Sequence, residues 1–385
     1  MRKKIMFLKK EPVLFISIVL AAGSAFVVAP DREYFSYIDF RTLGILFSLM
    51  AIVAGLTETG LFDQMAEKLL NRAKSMTGIV MLLVFLCFFL SMLVTNDVSL
   101  LTFVPLTITV LNKMEKEIRE KWMLKIIVMQ TIAANLGSML TPVGNPQNLY
   151  LYGKSEMGIL AFLKLMFPYT LLSMLLLVIW IVIEGRRKRN LRMENGNVSE
   201  EFGNVQSNPM EKGKLAVYLG LFAVSLLTVA HLLPVWLLFG MVLVYLTVKN
   251  QKILKKVDYC LLGTFAALFI FIGNLGRIPA FAKFLSMAIE KREMITAVLA
   301  SQVMSNVPAA ILLSGFTENY KALIVGTNMG GLGTLIASMA SLISFKYAAK
   351  ECGEKKGAYL AEFTAANLVF LVILLLPAVL MCAGQ

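Results

Sequence analysis

The chain has 385 residues, 58% of them hydrophobic and only 16% charged, whereas a soluble domain has an apolar share of about one half. Its formal net charge of +13 sits in short basic clusters between apolar runs, which is the pattern of cytoplasmic loops in a polytopic membrane protein and not of a nucleic-acid-binding face. Four scattered cysteines, Cys87, Cys260, Cys352 and Cys382, form no CxxC or metal-ligand spacing, so neither a disulfide framework nor a metal centre is indicated.

In chain order, "MRKKIMFLKK" precedes an apolar run at 12–29. The pair resembles a signal peptide with Val27 and Ala29 at a poor cleavage site, but the length of the run and the spans that follow favour a retained first helix. Further spans are expected at 42–57, 159–183, 215–230, 235–248, 258–274 and 358–382, each of a length that suits a bilayer. Re-entrant hairpins are expected at 78–112 and 293–318, and broken spanning helices at 122–150 and 322–345. Amphipathic helices lying in the interface, "LFDQMAEKLLNRAK" and "IPAFAKFLSMAIEK", precede the two hairpins. The one water-loving stretch, 185–214, is a cytoplasmic linker loop between an N-terminal transmembrane half, 1–184, and a C-terminal half, 215–385. With the N-terminus cytoplasmic and the C-terminus outside, 28 of the 37 Lys and Arg fall on the cytoplasmic side of the cell membrane, as the positive-inside rule requires.

The halves repeat each other. "SMLVTND" matches "SQVMSNV" at an offset of 210, pairing Ser91, Thr95 and Asn96 with Ser301, Ser305 and Asn306. "ANLGSMLTPVGNPQN" lies without gaps on "TNMGGLGTLIASMAS" at an offset of 193, pairing Asn135, Gly137 and Thr141 with Asn328, Gly330 and Thr334. The offsets differ because the first half inserts "NKMEKEIREKW". The order of motifs implies inverted-topology repeats, the first at about 42–184 and the second at about 258–382, an architecture that secondary transporters use to build a midplane site.

Polar side chains and non-helical backbone at membrane depth must be buried in protein or line a wet cavity. The tips and breaks are therefore expected to face one another. Helix N-termini there suit an anion, and carbonyl, Asn, Ser and Thr oxygens suit a small hard cation such as sodium. The first break offers Ser138, Thr141, Asn145 and Asn148 around Gly137, Gly144, Pro142 and Pro146, and the density of prolines and asparagines in "TPVGNPQN" favours a real interruption over close helix packing. The second offers Thr334, Ser338 and Ser341 around Gly330, Gly331 and Gly333. Asp97 would cost roughly 2.5 to 3.5 kcal/mol at the bilayer centre, and neither hairpin core holds a Lys or Arg. It is expected to be a cation ligand, a proton carrier, a partner of helix N–H groups, or the N-cap of a helix beginning at Val98. Its counterpart in the second repeat is Val307.

Other residues read more plainly. His231 belongs to an outer turn, Lys164 snorkels, and Glu58, Asp63 and Glu362 face water near the interfaces. The 23 methionines fill helix contacts. The sequence has no nucleophile–base set, phosphate loop or HExxH motif, so an enzyme is not expected.

"TNDVSLLTFVPL" with "GSMLTPVGNPQNLYL", and "SNVPAAILLSGF" with "GGLGTLIASMAS", resemble the citrate transporter-like permeases of the ion transporter superfamily. Their relatives include divalent anion:sodium symporters, arsenite permeases and a group of sodium/proton antiporters. The resemblance implies an all-α polytopic membrane protein, a homodimer in the lipid bilayer, that carries a small anionic substrate by an elevator mechanism, with sodium or a proton as coupling ion and no cofactor. In the dicarboxylate branch Ser-Asn-Thr triplets at the tips bind sodium and carboxylate. Here Thr95-Asn96-Asp97 and Ser305-Asn306-Val307 take those places, so Asn96, Asp97 and Asn306 are the candidate sodium ligands. The Asn-Asp pair is closer to arsenite and citrate-metal relatives. The breaks complete the implied site with Ser138, Thr141, Gly144, Asn145, Asn148, Gly331, Thr334 and Ser338.

Overall fold

The computed structural model describes residues 11–70, 73, 75–187, 211–351, 353 and 356–383. The basic cluster at 1–10, most of the linker at 188–210, Cys352 and the Cys382 side chain lie outside the described residues. The described elements are all helical, and five of the helices are long and apolar enough to cross a membrane.

Each helix starts where local chemistry permits. α1 (Pro12–Ala25) opens on a proline, whose missing N–H costs nothing at that position. After the short α2 (Tyr34–Tyr37), α3 (Phe40–Glu58) is capped by Asp39, which accepts the Thr42 N–H at 2.9 Å. Much later α12 (Tyr259–Gly276) is capped in the same way by Asp258, which accepts the Leu261 N–H at 2.9 Å. Each of these spans is followed by an amphipathic helix, α4 (Leu61–Leu70) or α13 (Pro279–Ile289).

Two helical hairpins come next. In the first, α5 (Met76–Ser91) turns at 92–95 into α6 (Asn96–Asn112). In the second, α14 (Glu293–Met304) turns at Ser305 into α15 (Asn306–Leu313). Both turns put a residue other than glycine into left-handed backbone, Thr95 at φ 78° and Ser305 at φ 75°. Such a conformation costs about 1 to 3 kcal/mol and persists only where surrounding contacts enforce it.

Each hairpin wraps a broken helix. α7 (Lys116–Ser138) and α8 (Pro146–Lys154) flank the first break, and α16 (Tyr320–Gly330) and α17 (Met339–Glu351) flank the second. α5 and α6 pack on α7 as α14 and α15 pack on α16. Glycine allows the approach at equivalent places: a Cβ on Gly137 would collide with the Phe88 carbonyl, and one on Gly330 would lie 2.6 Å from the Ser301 hydroxyl. The repeats then exchange partners reciprocally. α6 packs on α17 and α15 on α8, while α7 packs on α17 and α16 on α8, the relation expected of units related by a two-fold.

The remaining helices surround this core. α9 (Ile159–Arg187) and α18 (Lys356–Ala383) pack on α7 and on each other, α10 (Lys212–Val229) and α11 (Val235–Lys249) pack on α3, and α1 packs on α12. Their outer faces expose large side chains such as Ile179, Ile183, Val244 and Leu376, as lipid contact demands. Glu362 is not simply water-facing: with the buried Glu184 it surrounds Lys125, whose ammonium lies 3.8 Å from Glu362 and 2.6 Å from Glu184. A partly buried cation is held in place by such partners, and here they tie α7 to α9 and α18.

Candidate functional site

The hairpin tips meet the breaks through equivalent bonds. The Asn96 N–H donates to the Gly144 carbonyl at 3.1 Å, and the Asn306 N–H donates to the Ala337 carbonyl at 2.9 Å. The Thr141 hydroxyl donates to the Met92 carbonyl, and the Thr334 hydroxyl to the Gln302 carbonyl. Across the repeats, Asn145 Nδ2 donates to Asn328 Oδ1 at 3.5 Å and Ser338 Oγ to Asn135 Oδ1 at 3.0 Å. Each pair falls on the sequence offsets of 210 and 193. The bonds satisfy backbone groups that the interruptions leave without helical partners.

Between them lies a polar cluster in otherwise apolar packing. Asn96 Nδ2 donates to Asn135 Oδ1 at 3.0 Å, so Asn135 joins the first tip to Ser338. Asn145 Nδ2 donates to Ser138 Oγ at 2.6 Å, Asn328 Nδ2 to Asn148 Oδ1 at 2.6 Å, and Asn148 Nδ2 to the Thr141 carbonyl at 3.2 Å. Gly144 allows the fold-back, because a Cβ there would collide with the Ser138 carbonyl. At the second tip, Ser305 Oγ donates to Asn306 Oδ1 and to the Ala337 carbonyl at 3.4 Å each, and Asn306 Nδ2 lies against Gly331.

Buried atoms of this region without a hydrogen-bond partner among the described residues include Asp97 Oδ1, Asn145 Oδ1, Asn135 Nδ2, Gln147 Nε2 and Ser341 Oγ. A buried polar atom without a partner costs about 1 to 3 kcal/mol and calls for an explanation. The set joins a carboxylate and an amide oxygen, suited to a hard cation, with N–H donors and a hydroxyl, suited to an anion.

Asp97 does not cap a helix beginning at Val98. The helix begins two residues earlier, at Asn96, with Thr95 in the N-cap position, and Asp97 lies within its first turn. Its carboxylate has no salt-bridge partner among the described residues. It points into a cavity of about 570 Å³ that Thr95, Val143 and Asn145 also line. The apolar walls come from α3 and α17, and the mouth holds Glu11, Asp63, Lys256, Asp258 and Lys346. Lys256 is engaged by Glu58 at 2.7 Å, and partial burial raises the Asp63 carboxyl above its ordinary value. Neither Ser305 nor Asn306 lines this cavity, and both are buried.

Thr95, Asn96, Asp97, Ser138, Asn145, Asn148 and Ser338 thus converge, and Ser305, Asn306 and Gly331 form the second tip beside them. Thr141 and Thr334 commit their hydroxyls to fastening the hairpins, and Thr334 is exposed. Three participants escaped sequence reasoning. Asn135 and Asn328 stand in a matched column of the repeat alignment, which was the available signal; Gln302 lies three residues before the second tip, opposite Met92 in the alignment, and so gave none.

A sequence profile described as "Citrate transporter" matches residues 5–320. The chain is 34% identical to an uncharacterized transporter of Methanocaldococcus jannaschii over 87% of this chain and 88% of the relative. It is 30% identical to the inner membrane protein YbiR of Escherichia coli over 87% of each. A silicon efflux transporter of Oryza sativa subsp. japonica is 30% identical over 41% of this chain and 33% of its own length. The chain therefore belongs to the citrate transporter family of the ion transporter superfamily, and is a multi-pass membrane anion transporter of that type.

Proposed function

We propose that the protein is a cation-coupled secondary transporter of a small anion, a di- or tricarboxylate such as citrate, working by elevator-type alternating access as a homodimer. The observation that carries this reading is the meeting of two tips and two breaks in one buried polar cluster, reached from one side through the cavity at Asp97. Asn96 and Asn306 hold substrate or coupling ion, and Asp97 holds sodium or the proton. The hairpins are re-entrant, the N-terminus is cytoplasmic and the C-terminus outside. The cavity mouth then faces the cytoplasm, since Lys256 and Lys346 belong to the basic clusters that the positive-inside rule keeps there. Glu11, Asp63 and Asp258 at the same mouth favour approach of the coupling cation.

Purified protein in liposomes, supplied with labelled citrate, succinate or arsenite under sodium or proton gradients, tests the proposal. Uptake of a carboxylate driven by one gradient is expected; uptake indifferent to both overturns the coupling.

A second reading is oxyanion efflux or sodium/proton antiport. It is favoured by the relative named as a silicon efflux transporter and by the carboxylate at the first tip, which has no salt-bridge partner among the described residues. Sodium-driven proton movement in everted vesicles without any organic anion selects antiport, and arsenite extrusion selects oxyanion efflux.

A further inference from the structure

Gln302 has no counterpart in the first hairpin, where Met92 stands in its place. Its Nε2 donates to the Gly330 and Leu332 carbonyls, each at 2.9 Å, and lies 3.2 Å from the Val298 carbonyl. Its Oε1 accepts the Thr334 N–H at 2.9 Å, and its own carbonyl accepts the Thr334 hydroxyl at 3.0 Å. One side chain thereby satisfies backbone groups at the end of α16 and in the first part of the second break.

Gly333 is matched to it. That residue has φ +105°, and a Cβ on it would collide with Gln302 Oε1, so the glycine supplies both the conformation and the room. Leu140 takes the equivalent place in the first repeat. There the side-chain link from break to hairpin at this position is the Thr141 hydroxyl on the Met92 carbonyl.

We propose that Gln302 is a positioning residue that fastens the second hairpin and the second break into one rigid body, leaving the first hairpin freer to move against its own break. The closed tip, with Ser305 and Asn306 buried, is the one that Gln302 holds, whereas the tip that lines the cavity has the Thr141 hydroxyl at this position. The functional consequence rests on the transport reading: substrate meets a preorganised second tip, and movement of the site's walls is confined to the first.

Hydrogen exchange on the purified full-length protein tests the fastening without any transport assay. Gln302→Met, which restores the residue of the first repeat, should speed exchange at Asn306 and at 331–337 about tenfold or more, with 96 and 138–144 unchanged. Gln302→Glu keeps the acceptor for the Thr334 N–H and loses the two donated bonds, so it should give an intermediate acceleration even if the Met variant folds poorly. Unchanged exchange in either variant overturns the proposal.

In liposomes with labelled citrate, Gln302→Met should raise KM several-fold with kcat little altered, because the binding-competent tip is populated less. A lower maximal rate at unchanged KM would reduce Gln302 to a folding residue and overturn its positioning role. If citrate does not move in the unaltered protein, the transport reading falls while the exchange data still decide the fastening.

Discussion

The two hairpin tips share a backbone and differ in chemistry. Thr95 and Ser305 have nearly the same left-handed φ, and Asn96 and Asn306 send the same amide bond to Gly144 and Ala337. Beyond that frame, the first tip adds Asp97 and faces the cavity, whereas the second adds Val307, is buried, and is fastened by Gln302. The comparison teaches that the same backbone frame occurs twice, because the buried backbone groups freed at each turn and break must be satisfied in both places. Charge was placed once, because a second buried carboxylate would repeat a desolvation cost without a second task.

The largest expected effect breaks this asymmetry. Asp97→Asn should abolish the dependence of transport on the cation gradient, a loss of up to about a hundredfold in driven flux, with the melting temperature little changed. Flux that keeps its gradient dependence would move the coupling elsewhere. Next come the two packing glycines. Gly137→Ala meets the unyielding Phe88 carbonyl, whereas Gly330→Ala meets the movable Ser301 side chain as its nearest neighbour. Overpacking of about 1 to 3 kcal/mol is expected for Gly137 and the low end of that range for Gly330, read as thermal unfolding in detergent.

Asn328→Ala removes donors to Asn148 and to the Ile324 carbonyl and should lower stability by about 1 to 3 kcal/mol. Asn135→Ala should cost less stability but raise the KM for substrate more, since Asn135 Nδ2 is a donor left without a partner. The smallest pair is Thr141→Val and Thr334→Val. Each loses one hydroxyl bond worth about 0.5 to 1.5 kcal/mol, with the milder outcome expected at Thr334, where Gln302 also holds the backbone N–H. Equal losses at the two threonines would deny Gln302 its fastening share.

The frame of the site was legible because its signals are local. Prolines and glycines mark the first break in "TPVGNPQN", and polar residues inside apolar runs mark both tips. The position of Asp97 within the helix was misjudged by two residues, because the tip's left-handed residue, not a side-chain cap, starts α6. Glu362 was read as a surface group, since nothing in its own neighbourhood of sequence reveals Lys125 and Glu184. Gln302 could be mistaken for a lone polar residue on an apolar helix, because its partners lie 28 to 32 residues further along.

By itself the sequence determined the all-helical membrane class, the long apolar helices and the polar residues at each tip, because hydropathy and the cost of burying bare polar groups act over a few turns of chain. Only the tertiary structure decided which asparagine answers which, which tip meets the cavity and which is fastened shut. Those outcomes depend on helices that meet across separations such as the 183 residues between Asn145 and Asn328, where packing and not local composition sets the neighbours.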